Sequence, residues 1–195
     1  MKYSFLFLCL ILLHVSTVCA QQNKDKALVL VDIQDFYFPG GAMELVNANE
    51  AGLIASNVLQ LFRENKLLVI HIKHKAKKGA AINEVVRPFP NELVLTKTEV
   101  NAFKGTQLKA QLDKHGIKRL VIVGMQTHMC LEAAARASAD FGYKVTVVED
   151  ACATRDLKYN DVLIPSAQVH ASTLNTLQSY ASVISFEVFK EKFFN

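Results

Sequence analysis

RLVIVGMQTHMCLEAAARASADFG, residues 119–142, compresses a strand, a tight turn, a thiol and a helix into one segment. Arg119 to Val123 is a short apolar, β-branched run of strand length. Leu131 to Phe141 has the amphipathic spacing of a helix, and Gly142 stops it. The turn between them delivers Cys130 to the start of that helix. A helix N-terminus presents free backbone N–H groups and a partial positive charge. Both favour thiolate over thiol, and the thiolate is the nucleophile. The placement predicts a cysteine biased towards ionisation. A free cysteine is also a small hydrophobe that is often simply buried, so Cys130 needs partners before it reads as catalytic.

The same alternation runs through the chain on both sides. Ala27 to Val31, Leu67 to Ile72, Leu93 to Leu95, Lys144 to Val148 and Ala181 to Phe186 read as further strands. Ala48 to Asn65 and Gln107 to His115 carry helical stripes, and Asp161 to Tyr180 reads as mostly helical, with Pro165 in its first turn or breaking it. Residues 75–91 are polar, contain Gly79, Pro88 and Pro90, and read as a loop. Nearly all-apolar strands alternating with helices predict an α/β fold, with a doubly wound, mostly parallel six-stranded sheet covered on both faces.

Composition sets the limits. The chain has 195 residues, 51% of them hydrophobic, which suits one α/β domain and hardly two. Lys2, the apolar run Phe5 to Leu13 and the small-residue site Val18-Cys19-Ala20 have the layout of a secretory signal peptide. That run is shorter than the roughly 20 residues a spanning helix needs. The expectation is a signal at residues 1–20, a domain over 21–195, a secreted or periplasmic location and no stable membrane anchor. Cys130 and Cys152 then remain. An exported protein could pair them; their places after two different strands argue against it, although adjacent parallel strands end close together. Two cysteines give no standard metal framework. The charges, 22 basic against 18 acidic, are scattered apart from Lys73 to Lys78. Without interleaved aromatics that cluster reads as a solvated loop, so no nucleic-acid partner is expected.

In an open parallel sheet, ligands bind beyond the carboxyl ends of the strands. Asp32 closes the first strand, Lys97 lies just past the third, and Cys130 follows the fourth. Each has an ordinary alternative: a turn cap for Asp32, a surface position for Lys97, core packing for Cys130. Together on one sheet edge they form a base, a cation and a nucleophile.

Three blocks then carry a resemblance: Ala27 to Gln34 with Pro39-Gly40-Gly41, Leu95 to Phe103 with Gly105-Thr106, and Gly124 to Cys130. In order and separation they resemble the isochorismatase-like cysteine hydrolases, which include nicotinamidases and related amidases. The resemblance implies a three-layer α/β/α domain and an Asp32–Lys97–Cys130 triad. It implies a cis peptide between Met125 and Gln126, and an oxyanion hole from the backbone N–H groups of Gln126 and Cys130. It further implies a small-molecule substrate, commonly a homo-oligomer, and hydrolysis of a small carboxamide through a Cys130 thioester. The alternatives are a vinyl-ether hydrolase of the isochorismate type and a non-catalytic binding protein on the same fold.

Two departures bear on this. Nicotinamidases bind a metal with an Asp and several His after the second strand. Here that stretch reads His71-Ile72-Lys73-His74, and an i, i+3 pair on a strand faces opposite ways, so no metal and no cofactor are expected. Asp35 also stands one position earlier than the family's aspartate. Tyr37, Phe38, His74 and Phe103 are candidates for the substrate pocket. His128 is expected to support the turn rather than act as base, and His170 to pack. Specificity is expected in residues 74–92.

Overall fold

The computed structural model describes residues 24–193; the expected signal peptide and cleavage site lie outside them. In chain order the elements are β1 (Lys26–Val31), α1 (Ala48–Glu64), β2 (Leu68–His74), β3 (Leu93–Lys97), α2 (Leu108–Lys114), β4 (Arg119–Met125), α3 (Glu132–Asp140) and β5 (Lys144–Ala153). They continue with β6 (Leu157–Tyr159), β7 (Val162–Ile164), α4 (Ser166–Leu177), β8 (Ser182–Ile184) and α5 (Phe186–Phe193). Six strands form one sheet in the order β3-β2-β1-β4-β5-β8, every neighbouring pair parallel. The expected doubly wound sheet is present.

The alternation of side chains along β1 splits the core in two. Leu28 and Leu30 pack with Ala55, Val58, Leu59 and Phe62 of α1 and with Phe189 of α5. Ala27, Val29 and Val31 pack on the other face with Leu108 and Leu112 of α2, Leu131 just before α3, Ala134 of α3, and Leu174 and Leu177 of α4. These are the three layers. The winding reverses between β1 and β4, and there the strands approach closely. Gly124 pairs with Val31, and a Cβ on it would lie 2.0 Å from the Val31 carbonyl oxygen. Its φ of +131° also lies where only glycine is at ease. Gly124 therefore permits the end of β4 to meet the end of β1.

Three local expectations change. Asp161 to Tyr180 is not one helix: Val162–Ile164 pairs antiparallel with Leu157–Tyr159, and α4 begins only after Pro165. The turn residues are Asn160 and Asp161, with Asn160 at φ +52°, a two-residue hairpin signal that outweighs the helical stripe. Tyr159, Val162 and Leu163 of this hairpin are exposed. The last strand stops at Ile184, and Phe186 starts α5, where the Asp150 carboxylate accepts from the Phe186 N–H at 2.9 Å. Cys130 is not in an α-helical first turn but in a wider π-type turn, Thr127–Leu131, that precedes α3.

Candidate active site

Asp32, Lys97 and Cys130 come together beside the point where the sheet order reverses. Asp32 leaves β1 in the left-handed region, φ +51°, and its side chain is fully buried. That conformation is costly for a non-glycine residue and is held here by the surrounding fold. Lys97 ends β3 and is 1% exposed, so the stem that Lys usually leaves in water runs through the core. Its Nζ lies 2.7 Å from Asp32 Oδ2 and donates to Cys130 Sγ at 3.1 Å. Its two other neighbours are the Glu99 carbonyl oxygen and His74 Nδ1, each at 3.1 Å. The Met125–Gln126 peptide is cis, as the resemblance implied.

Burial dominates the electrostatics. It raises the Asp32 carboxyl above the usual carboxylate range, with the Lys97 charge and hydrogen bonds from Lys97 and Cys130 opposing it. Burial likewise pushes the Cys130 thiol up to about 11, and the Asp32 charge adds to this against the pull of Lys97. The expectation that Cys130 would be biased towards thiolate is therefore corrected. Burial, the largest cause, favours the neutral thiol over any helix-terminal effect. The donor atoms of Asp32, His74 and Cys130 lie within 4.8 Å of one another, a spacing a metal ion could use. The Lys97 ammonium already stands among them, so the fixed positive charge at this place is the protein's own.

Comparison with known proteins agrees with this geometry. The isochorismatase domain model matches residues 26–185. The chain belongs to the isochorismatase family. It is 38% identical to the isochorismatase family protein YddQ of Bacillus subtilis (strain 168), over 84% of this chain and 97% of that one. It is 31% identical to the secreted isochorismatase effector Isc1 of Verticillium dahliae, over 69% of this chain and 76% of the relative. It is 29% identical to the ureidoacrylate amidohydrolase RutB of Rhizobium rhizogenes, over 61% of this chain and 50% of that protein. A solved isochorismatase hydrolase from Oleispira antarctica superposes with a TM-score of 0.82 at 38% identity, covering 85% of this chain and 96% of the other.

Within this isochorismatase-family hydrolase the remaining candidates divide. His74 joins the cluster. Tyr37 is buried and its hydroxyl accepts from Gln126 Nε2 at 3.3 Å, beside the nucleophile turn. Phe38 is buried, and its ring lies against Gly52 of α1. Phe103 packs on Phe141, with ring centroids 5.0 Å apart, and on Tyr143. His128 and His170 both brace the turn. His128 Nδ1 lies 2.6 Å from Thr154 Oγ1, and His170 Nδ1 lies 3.0 Å from Thr127 Oγ1. Burial lowers the pKa of both rings, with the Arg155 charge adding to it at His128. Cys130 and Cys152 are both free thiols, and Cys152 donates to the Val148 carbonyl oxygen at 3.2 Å. Lys75, Lys77 and Lys78 of the basic cluster are exposed, as a solvated loop requires.

Gln34 is the residue that the sequence reading passed over. It is fully buried. Its Oε1 accepts from the His74 N–H at 2.7 Å, and its Nε2 donates to the carbonyls of His74 at 3.0 Å and Ala80 at 2.9 Å. One side chain thus ties the end of β2 and the following loop to the segment after Asp32. A glutamine between Ile33 and Asp35, two residues from the base, gives no local signal of this role. Cavity size is a poor guide here. Hollows of about 550 and 520 Å³ open near Leu67 and Leu68, and near Lys118 and Arg119, at the amino-terminal edge of the sheet. The reactive groups lie at the other edge.

Proposed function

We propose that this protein is a thiol hydrolase that cleaves the C–N bond of a small carboxamide. The observation that carries the reading is the contact of one buried ammonium with both a carboxylate and a thiol. Cys130 Sγ attacks the carbonyl carbon while Asp32 takes the thiol proton. Burial raises both the Asp32 carboxyl and the Cys130 thiol, and a carboxylate with raised proton affinity is the better base for that transfer. Lys97 stabilises the thiolate as it forms. The backbone N–H groups of Gln126 and Cys130 receive the oxyanion. Asp32 returns the proton to the leaving amine, and water then releases the acid from the thioester.

The amidohydrolase name of the RutB relative supports a C–N bond as the target. The vinyl-ether route needs no cysteine, and a thiol held between Asp32 and Lys97 has no part in it. A secreted location belongs to the same reading, supported by the sequence of residues 1–20 and by the secreted relative Isc1. So does self-association, for which the exposed Tyr159, Val162 and Leu163 offer an apolar surface to a second copy; light scattering of the purified protein measures it.

The test is a panel of small primary and secondary amides, followed by amine release. Wild-type protein should turn over at least one, and Cys130→Ala none. Full activity in Cys130→Ala would overturn the proposal.

A further inference from the structure

We propose that His74 is a positioning residue for the reaction, acting through Lys97. His74 and Lys97 are register partners on the parallel strands β2 and β3. Their side chains therefore emerge side by side on one face of the sheet. His74 Nδ1 lies 3.1 Å from Lys97 Nζ. An ammonium can only donate, so Nδ1 must be the acceptor, and the imidazole carries its proton on Nε2.

Lys97 is thereby held from two sides. Asp32 Oδ2 and Cys130 Sγ are the reacting groups, while His74 Nδ1 and the Glu99 carbonyl oxygen are anchors that take no part in proton transfer. An ammonium has three hydrogens and here meets four acceptors, so its orientation is set by competition among them. A resting thiol is the weakest acceptor of the four and a thiolate a strong one. As Cys130 ionises, one N–H turns towards sulfur, and the anchors keep Nζ in place while it does so. A lysine side chain on its own has too many rotamers for that duty.

The position of His74 is itself built. Gln34 clasps its backbone N–H and carbonyl in a two-bond, peptide-like pairing at 2.7 and 3.0 Å. A fully buried glutamine committed to a strand end is unusual for a histidine that only meets solvent. The groups facing the His74 ring are Lys97 from β3, and Asp32 and Cys130 beyond it; His71 on the same strand faces the opposite layer and bonds to Glu92.

This inference rests on the nucleophile role proposed for Cys130, so its test does not require a substrate. The second-order rate of Cys130 alkylation by iodoacetamide is measured at neutral pH, with peptide mapping to separate it from Cys152. His74→Leu removes the acceptor, and His74→Asn keeps one in nearly the same place. At neutral pH, His74→Leu should slow alkylation about tenfold, the scale of one lost hydrogen bond. His74→Asn should stay within about threefold of wild type, because it keeps the acceptor. Once a substrate is known, the His74→Leu loss should fall on kcat with KM little changed. His74→Leu alkylating as fast as wild type would overturn the inference, as would His74→Asn being as slow as His74→Leu. If no amide is hydrolysed yet these alkylation differences appear, the substrate reading fails and the role of His74 stands.

Discussion

His71 and His74 stand three residues apart on β2 and belong to two buried charge networks, one on each face of the sheet. His71 Nε2 donates to Glu92 at 3.0 Å, and Glu92 also accepts from Arg63 at 2.7 and 2.8 Å and from the Phe89 N–H at 2.9 Å. Burial alone would raise the Glu92 carboxyl; these donors outweigh it and hold it down to about 2. On the other face Asp32 has the Lys97 ammonium and the Cys130 thiol, and burial wins, so its carboxyl is raised. The two carboxylates differ in how many donors reach them. A fully supplied carboxylate is a structural anion, whereas an undersupplied one is a base waiting for a proton.

The most severe way to break the contrast is Lys97→Met. Asp32 and Cys130 lose their cation, and the reactivity of Cys130 should fall about a hundred- to a thousandfold, the scale of one removed electrostatic stabiliser. Alkylation kinetics at neutral pH measure it. A residual rate near wild type would place the two networks in the same class.

Arg63→Leu is the matched change on the structural side. Arg63 and Glu92 are largely buried, with side-chain exposures of 17% and 7%. Removing one partner of such a pair should cost about 3 kcal/mol of stability, read by urea denaturation. Cys130 reactivity should change less than about twofold, because the pair does not reach it. The reverse pattern, stable but unreactive, would contradict the division.

A subtler separation comes from pH. Glu92 has a folded pKa below its unfolded value, so its stabilisation is present above about pH 4.3, the unfolded reference. It is lost as pH falls through about 2. Asp32 has the opposite sign: its raised pKa costs stability above the folded value, and that cost is relieved as acid is added. Thermal unfolding against pH should therefore show an acid-side loss that Glu92→Gln flattens. An unchanged slope in that variant would mean that other carboxylates dominate.

Much of this was legible in the sequence because it depends on period and order. The apolar strands gave the parallel sheet, and the topological rule then placed Asp32, Lys97 and Cys130 at one edge. What stayed hidden depends on contacts across the chain. The ionisation of Cys130 was read from its helix position, a local feature, whereas burial under distant elements decides it. The Gln34 clasp joins residues 40 positions apart, and nothing in the local pattern around either residue announces it. The Leu157–Ile164 hairpin was legible in principle, since Asn160-Asp161 is a turn signal, but a helical stripe masked it. Phe38 and Phe103 are candidates for a pocket wall by type and position, and their neighbours Gly52 and Phe141 are contacts that the local sequence does not announce.

The most direct measurement is an acid quench of the protein during turnover of an amide from the panel, followed by peptide mapping. A raised base beside a thiol on a buried ammonium predicts the acyl group on Cys130 as a thioester, absent in Cys130→Ala. Product formed by an enzyme that never carries the acyl group on Cys130, with Cys130→Ala equally active, would contradict it.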